Sequence, residues 1–145
     1  MKLRSRIVRL MPLLVGLALL LPFGAAARQS SETSEKVDVH KISVEQLRQK
    51  LARNESVIIV DVRGSDYDTS DSKIKGAVRI QPSQLESRLA ELPRDQQIVT
   101  YCACPTDGGS VSAARVLIQH GYKDVVALRG GWKSWVQAGG EVESK

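Results

Sequence analysis

Two apolar periodicities alternate along this chain. Val57 to Val62 is an almost unbroken β-branched run, the pattern of a strand covered on both faces. Ile98 to Tyr101 and Val125 to Leu128 repeat it, and Ala77 to Ile80 is a shorter version. Between these runs the period lengthens to that of a helix. Ser43 caps a helix through about Arg53, with Gln46 in the capping-box position and Val44, Leu47 and Leu51 on one face. Pro82 and Ser83 open a second helix carrying Leu85, Leu89 and Leu92. A third runs from about Val111 to His120 and stops at Gly121, a good C′ residue. Gly130-Gly131 predicts a turn, and the helix after it holds Trp132, Trp135 and Val136 before Gly139-Gly140. Gly64 to Ser72 is polar and turn-rich. Strands alternating with helices predict an α/β fold, a small parallel β-sheet flanked by helices on both faces.

The first 27 residues stand outside this alternation. Lys2, Arg4, Arg6 and Arg9 precede an apolar core from about Leu10 to Phe23, and Ala25-x-Ala27 follows. That sequence predicts a secretory signal peptide over 1–27, cut after Ala27. The apolar stretch is shorter than the roughly 20 residues a spanning helix needs, and Pro12 and Pro22 punctuate it. The charge changes with it. The chain has 21 basic and 16 acidic side chains, four of the basic ones before Ala27, leaving 17 against 16. No basic patch remains to argue for nucleic acid. Residues 28–38 form a polar leader, and 39–145 one domain large enough for a real core. Export predicts the periplasm in a bacterium, with membrane contact only through the signal peptide during export.

Within the domain, chemistry concentrates in the stretch after Ile98-Val99-Thr100-Tyr101. Both cysteines are there: Cys102, Ala103, Cys104, Pro105, Thr106, Asp107, Gly108, Gly109, Ser110. The two glycines permit a tight turn and Ser110 is a good N-cap for the next helix. A thiol in such a loop faces backbone N–H groups and the positive end of a helix dipole, and both favour the thiolate. Buried hydrophobe and structural disulfide are the plainer readings of the same cysteines.

Three stretches together resemble a rhodanese domain over about Ile42 to Val142. Val60-Asp61-Val62-Arg63, with Tyr67 and Lys73-Ile74-Lys75-Gly76-Ala77, is similar to that family's Asp-Val-Arg strand end and its His-Ile-Pro-Gly-Ala segment. The cysteine loop with Ala113-Ala114, Leu117 and Gly121-Tyr122 is spaced like the family's active-site loop and helix. Leu128-Arg129-Gly130-Gly131-Trp132, Trp135 and Gly139 resemble its closing pattern. The resemblance implies sulfur transfer. A cysteine takes a sulfane sulfur from a donor such as thiosulfate, becomes a persulfide, and passes it to a thiol or cyanide acceptor. It implies no metal or organic cofactor.

Lys73 stands where the family has His and Lys75 where it has Pro; both read as surface changes. The loop offers Asp107 and no Arg or Lys, so weak thiosulfate turnover is expected. Cysteine phosphatases resembling this fold need an Arg at the loop's end. Here the first is Arg115, inside the helix. Counting forward from the strand places the catalytic cysteine at Cys102, the favoured persulfide carrier. Counting back from Ala113-Ala114 places it at Cys104, the alternative or a resolving thiol. In an oxidising compartment Cys102-x-Cys104 could instead act as a thiol-disulfide redox pair, or depend on a partner protein that keeps it reduced. A third reading is a non-catalytic binding module. Two thiols without a nearby His supply too few ligands for zinc. His40 and His120 read as surface residues, and Trp132 and Trp135 as core. Asp61 and Arg63 sit at the carboxyl end of a parallel strand, where they pin the surrounding loops; Arg129 could reach the same edge and attract an anion.

Overall fold

The structure, a computed structural model, describes residues 37–145. The segment read as a signal peptide, and the leader up to residue 36, lie outside the described residues. Among those residues no helix is long and apolar enough to cross a membrane.

In chain order the elements are β1 (Lys41–Ile42), α1 (Val44–Ala52), β2 (Val57–Asp61), α2 (Ser65–Asp68), β3 (Ser72–Ile74) and β4 (Val78–Arg79). Two 3-10 segments, Pro82–Gln84 and Glu86–Glu91, lead to β5 (Gln97–Tyr101), α3 (Gly108–Gln119), β6 (Val125–Leu128), α4 (Gly131–Gln137) and β7 (Val142–Ser144). Five strands form a parallel sheet in the order β1-β6-β5-β2-β4, and β3 pairs antiparallel with β7 apart from it. The α/β sandwich expected from the alternating periods is the fold observed.

The β-branched runs divide their side chains between two cores. Val60 and Ile98 face Ala113, Ala114 and Leu117 of α3, together with Leu85, Leu92 and Tyr122. Ile59, Val99 and Tyr101 face Leu47 of α1 and Trp135 of α4 on the other side. Both faces are dry, which is why the strands read as continuous rather than alternating. The capping box at Ser43 and Gln46 forms as expected.

Four expectations are corrected. The helix expected from Pro82 is two 3-10 segments. The hydroxyl of Tyr122 donates to the carbonyls of Leu89 and Leu92, competing with an α-helical ladder, and Pro93 holds Leu92 extended. The helix expected from Val111 begins at Gly108. Gly108 and Gly109 are therefore its first residues rather than a turn, and Ser110 is not its cap. The polar stretch from Gly64 contains α2 and ends in β3, which pairs with β7. Lys73 and Lys75, read as plain surface changes, pair with Glu143 and Glu141 and fasten that strap.

Candidate active site

β5 is the middle strand of the sheet, and its carboxyl end delivers Cys102. That residue is only 3% exposed. Its carbonyl accepts from the Trp132 N–H at 2.9 Å, so the strand end is fixed to the start of α4. Gly131 makes this approach feasible. Its φ is +48°, and a Cβ there would overlap the Cys102 carbonyl oxygen. Two residues before Cys102, Thr100 Oγ1 donates to the Ser110 carbonyl at 2.8 Å, tying β5 to the first turn of α3.

The loop turns back on itself within a few residues. Cys102 and Cys104 form a disulfide with Cα atoms 5.7 Å apart. Their surroundings differ. Cys102 Sγ lies 3.7 Å from Ser110 Oγ in the buried floor of the loop. Cys104 is half-buried, and its Sγ accepts the Gly109 N–H at 3.2 Å, in the first turn of α3. Ala103 is half-buried, and Pro105 and Thr106 are exposed. A Cβ on Gly109 would lie 3.2 Å from the Cys102 Cβ and 3.5 Å from each sulfur, so any side chain there would crowd both cysteines.

Asp107 ends the turn in the left-handed region, φ +59°, which Asp tolerates better than most residues. Its carboxylate does not face the sulfurs as a free charge. Oδ1 accepts the Gly130 N–H and Oδ2 pairs with Lys41 Nζ, each at 2.9 Å. Ser110, expected to cap α3 from outside, lies inside the first turn and is fully buried. Its hydroxyl donates to the Asp107 carbonyl at 2.9 Å, the backward bond open to a helical serine. The left-handed Asp107 starts the helix early, which is the physical reason the cap moved.

The neighbouring strand end is built differently. Asp61 and Arg63 are both fully buried, with Arg63 Nη2 2.7 Å from Asp61 Oδ2 and 2.9 Å from the Ser72 carbonyl. The Tyr101 hydroxyl donates to Asp61 Oδ2 at 2.6 Å and accepts the Ile74 N–H at 3.2 Å. Burial, and then the bond to the Asp61 carboxylate, push the Tyr101 hydroxyl well above its usual pKa and keep it protonated. The guanidinium of Arg63 lies 4.3 Å from the Trp132 ring centre and 5.1 Å from that of Tyr67. Arg63, paired with Asp61, ties the end of β2 to the Ser72 carbonyl at the start of β3. Arg129 is exposed, and its backbone N–H donates to the Ile42 carbonyl. His40 and His120 are exposed. Lys41, Tyr101 and Trp132 complete the surroundings of the site. Sequence reasoning did not single out Lys41, because nothing local marks a lysine that pairs with a residue 66 positions away.

A parallel sheet whose middle strand runs through two cysteines into a helix N-terminus defines a cysteine-centred α/β domain. The family model "Rhodanese-like domain" matches residues 43–138, and the chain belongs to that family. A sulfurtransferase from Allochromatium vinosum is 34% identical over 101 residues, covering 70% of this chain and 92% of that protein. Thiosulfate sulfurtransferase GlpE from Coxiella burnetii is 26% identical, over 59% of this chain and 78% of its own length. Among solved structures, the Alr3790 protein from Anabaena superposes with a TM-score of 0.64 at 27% identity, over 72% of this chain and 82% of its own. Relatives named as sulfurtransferases support sulfur transfer as the general activity.

Proposed function

We propose that this protein is an exported sulfurtransferase that moves sulfane sulfur from a donor such as thiosulfate to a thiophilic acceptor, through a persulfide on the Cys102–Cys104 pair. The observation that carries the reading is the placement of both sulfurs against the first turn of α3, with a backbone N–H on one of them. In the reduced protein a thiolate attacks the outer sulfur of thiosulfate. The new S–S bond forms on the cysteine, and sulfite leaves with the electron pair of the bond that breaks. An acceptor thiolate or cyanide then attacks the outer sulfur of the persulfide and the cysteine thiolate departs. The N-terminus of α3 stabilises the anion through both half-reactions.

Lys41, which pairs with Asp107 of the loop, is already neutralised, so an anionic donor receives little help from it. Thiosulfate turnover is therefore weak beside that with a persulfide donor. Export to the periplasm belongs to this reading and rests on the sequence of residues 1–27. There the thiols depend on a reducing partner. The test is thiocyanate formation from thiosulfate and cyanide by the pre-reduced full chain. Turnover abolished in the Cys102→Ser/Cys104→Ser double variant supports the reading, and turnover unchanged in that variant overturns it. The disulfide itself favours a second reading, a thiol-disulfide exchange protein that carries no sulfane sulfur. Disulfide exchange by a chain that never gains sulfur would select it.

A further inference from the structure

The two cysteines differ in access and in hydrogen bonding. Cys104 is half-buried beside exposed Pro105 and Thr106, and its sulfur takes the Gly109 N–H at the start of α3. Those features stabilise a thiolate and let it meet a donor from solvent. Cys102 is buried, its carbonyl is fastened to Trp132, and its sulfur rests over Ser110 with no backbone N–H donor among the described residues. One sulfur is placed to receive, and the other lies beneath it within bonding reach.

We propose that Cys104 is the sulfur carrier and Cys102 its resolving thiol, so that the loaded protein releases hydrosulfide and closes the Cys102–Cys104 disulfide. The proposal rests on the sulfur-transfer reading above and adds a product and a partner class to it. It also reverses the roles that counting from the strand favours. In the resolving step the Cys102 thiolate attacks Sγ of Cys104. The Sγ–Sγ bond forms, the bond from Cys104 Sγ to the outer sulfur breaks, and the outer sulfur leaves as hydrosulfide with the proton that Cys102 gave up. No oxidant enters, because the outer sulfur takes up the electrons that the two thiols lose.

The intramolecular thiol competes with any external acceptor, because a single residue separates the two cysteines and no encounter has to occur. Returning the disulfide to two thiols requires an external dithiol, which is oxidised in turn. Its thiolate meets Cys104 first, since Cys102 is covered. The reaction that must follow in sequence is therefore dithiol–disulfide exchange with a reductant on the same side of the membrane as this protein.

The experiment loads the pre-reduced full chain with glutathione persulfide, removes excess donor, and follows intact mass and free hydrosulfide together. The expected result has three parts. Wild type gains one sulfur and then loses it, ending two hydrogens lighter than the reduced protein with hydrosulfide released in equal amount. Cys102→Ser gains one sulfur and holds it, with no hydrosulfide. Cys104→Ser gains none. Cys102→Ala is run beside Cys102→Ser, so that a hydroxyl in the buried floor does not decide the outcome. Sulfur held by Cys104→Ser and refused by both Cys102 variants reverses the roles and overturns the assignment. Wild type that keeps its sulfur, with no disulfide and no hydrosulfide, overturns the resolving step and leaves sulfur transfer standing. No sulfur gained by any form overturns the sulfur-transfer reading as well.

Discussion

β2 and β5 lie side by side, and their carboxyl ends open on the same edge of the sheet, yet the two ends serve different purposes. After β2, Asp61 and Arg63 close on each other, and Tyr101 and the Ser72 carbonyl add further bonds, leaving Arg63 Nη1 buried without a partner. After β5, Cys102 to Ser110 leaves two sulfurs with a single backbone N–H donor among the described residues, packed against the bare backbone of Gly109. One corner pairs its charges internally. The other holds its reactive atoms by their backbones and leaves the atoms themselves free to change partners.

The largest break in this comparison comes from the charge-paired corner. Asp61→Ala strands the Arg63 guanidinium in a fully buried position, a change that costs about 3–5 kcal/mol. Urea unfolding reads it as a large fall in midpoint, whereas Cys104→Ser in the open corner, measured against reduced wild type so that loss of the disulfide does not enter, shifts the midpoint little. Equal effects of the two would erase the distinction between the corners. Gly131→Ala tests the backbone hold on Cys102. A left-handed alanine whose Cβ overlaps the Cys102 carbonyl costs about 1–3 kcal/mol, read by thermal unfolding, and slows sulfur loading along with it. If loading is untouched, the Trp132-to-Cys102 bond does not position the sulfur.

Asp107→Asn sharpens the comparison more gently. The amide oxygen still accepts from Gly130 and Asn tolerates the left-handed region, so only the partly exposed pair with Lys41 is lost. The expected cost is at most about 1 kcal/mol in denaturant midpoint. The released Lys41 ammonium leaves the site more cationic, and thiosulfate turnover rises relative to turnover with an uncharged donor. A fall in that ratio would show that Lys41 does not reach the anion.

The smallest effect falls on the β3–β7 strap, remote from both corners. Hydrogen bonding to Lys75 holds the Glu141 carboxyl below its ordinary value of 4.5, and Lys73 does the same for Glu143. A carboxylate lowered on folding contributes stability above its ordinary value and loses it as pH falls through the lowered one. Amide exchange of the strap in acid should therefore rise relative to that of β5, while the cysteine loop is unaffected. Acid protection equal to that at neutral pH would show that these exposed pairs do not hold the strap.

Most of the sheet was legible in the residue pattern. Val57–Asp61 and Val125–Leu128 are β-branched runs that have no other comfortable place than a strand with two dry faces. The capping box at Ser43 was equally plain, because its bonds are made within three residues. The family pattern, the cysteine loop and the Asp61–Arg63 pinning were legible for the same reason: short spacings and fixed side-chain chemistry. β1, β3 and β7 are two or three residues long and exist only because a partner strand is there, so nothing local announced them.

Within the loop, sequence by itself determined that two thiols stand between a buried strand and a helix start. It could not determine where the helix begins, because that depends on a left-handed Asp107 held by Gly130 and Lys41 from distant parts of the chain. Nor could it separate the two sulfurs by access and hydrogen bonding. Strand and helix identity follow from periodicity, which each segment carries in its own residues. The burial of Cys102, the N–H on Cys104 and the neutralisation of Asp107 are contacts between segments, and such contacts exist only once the sheet has brought its edges together.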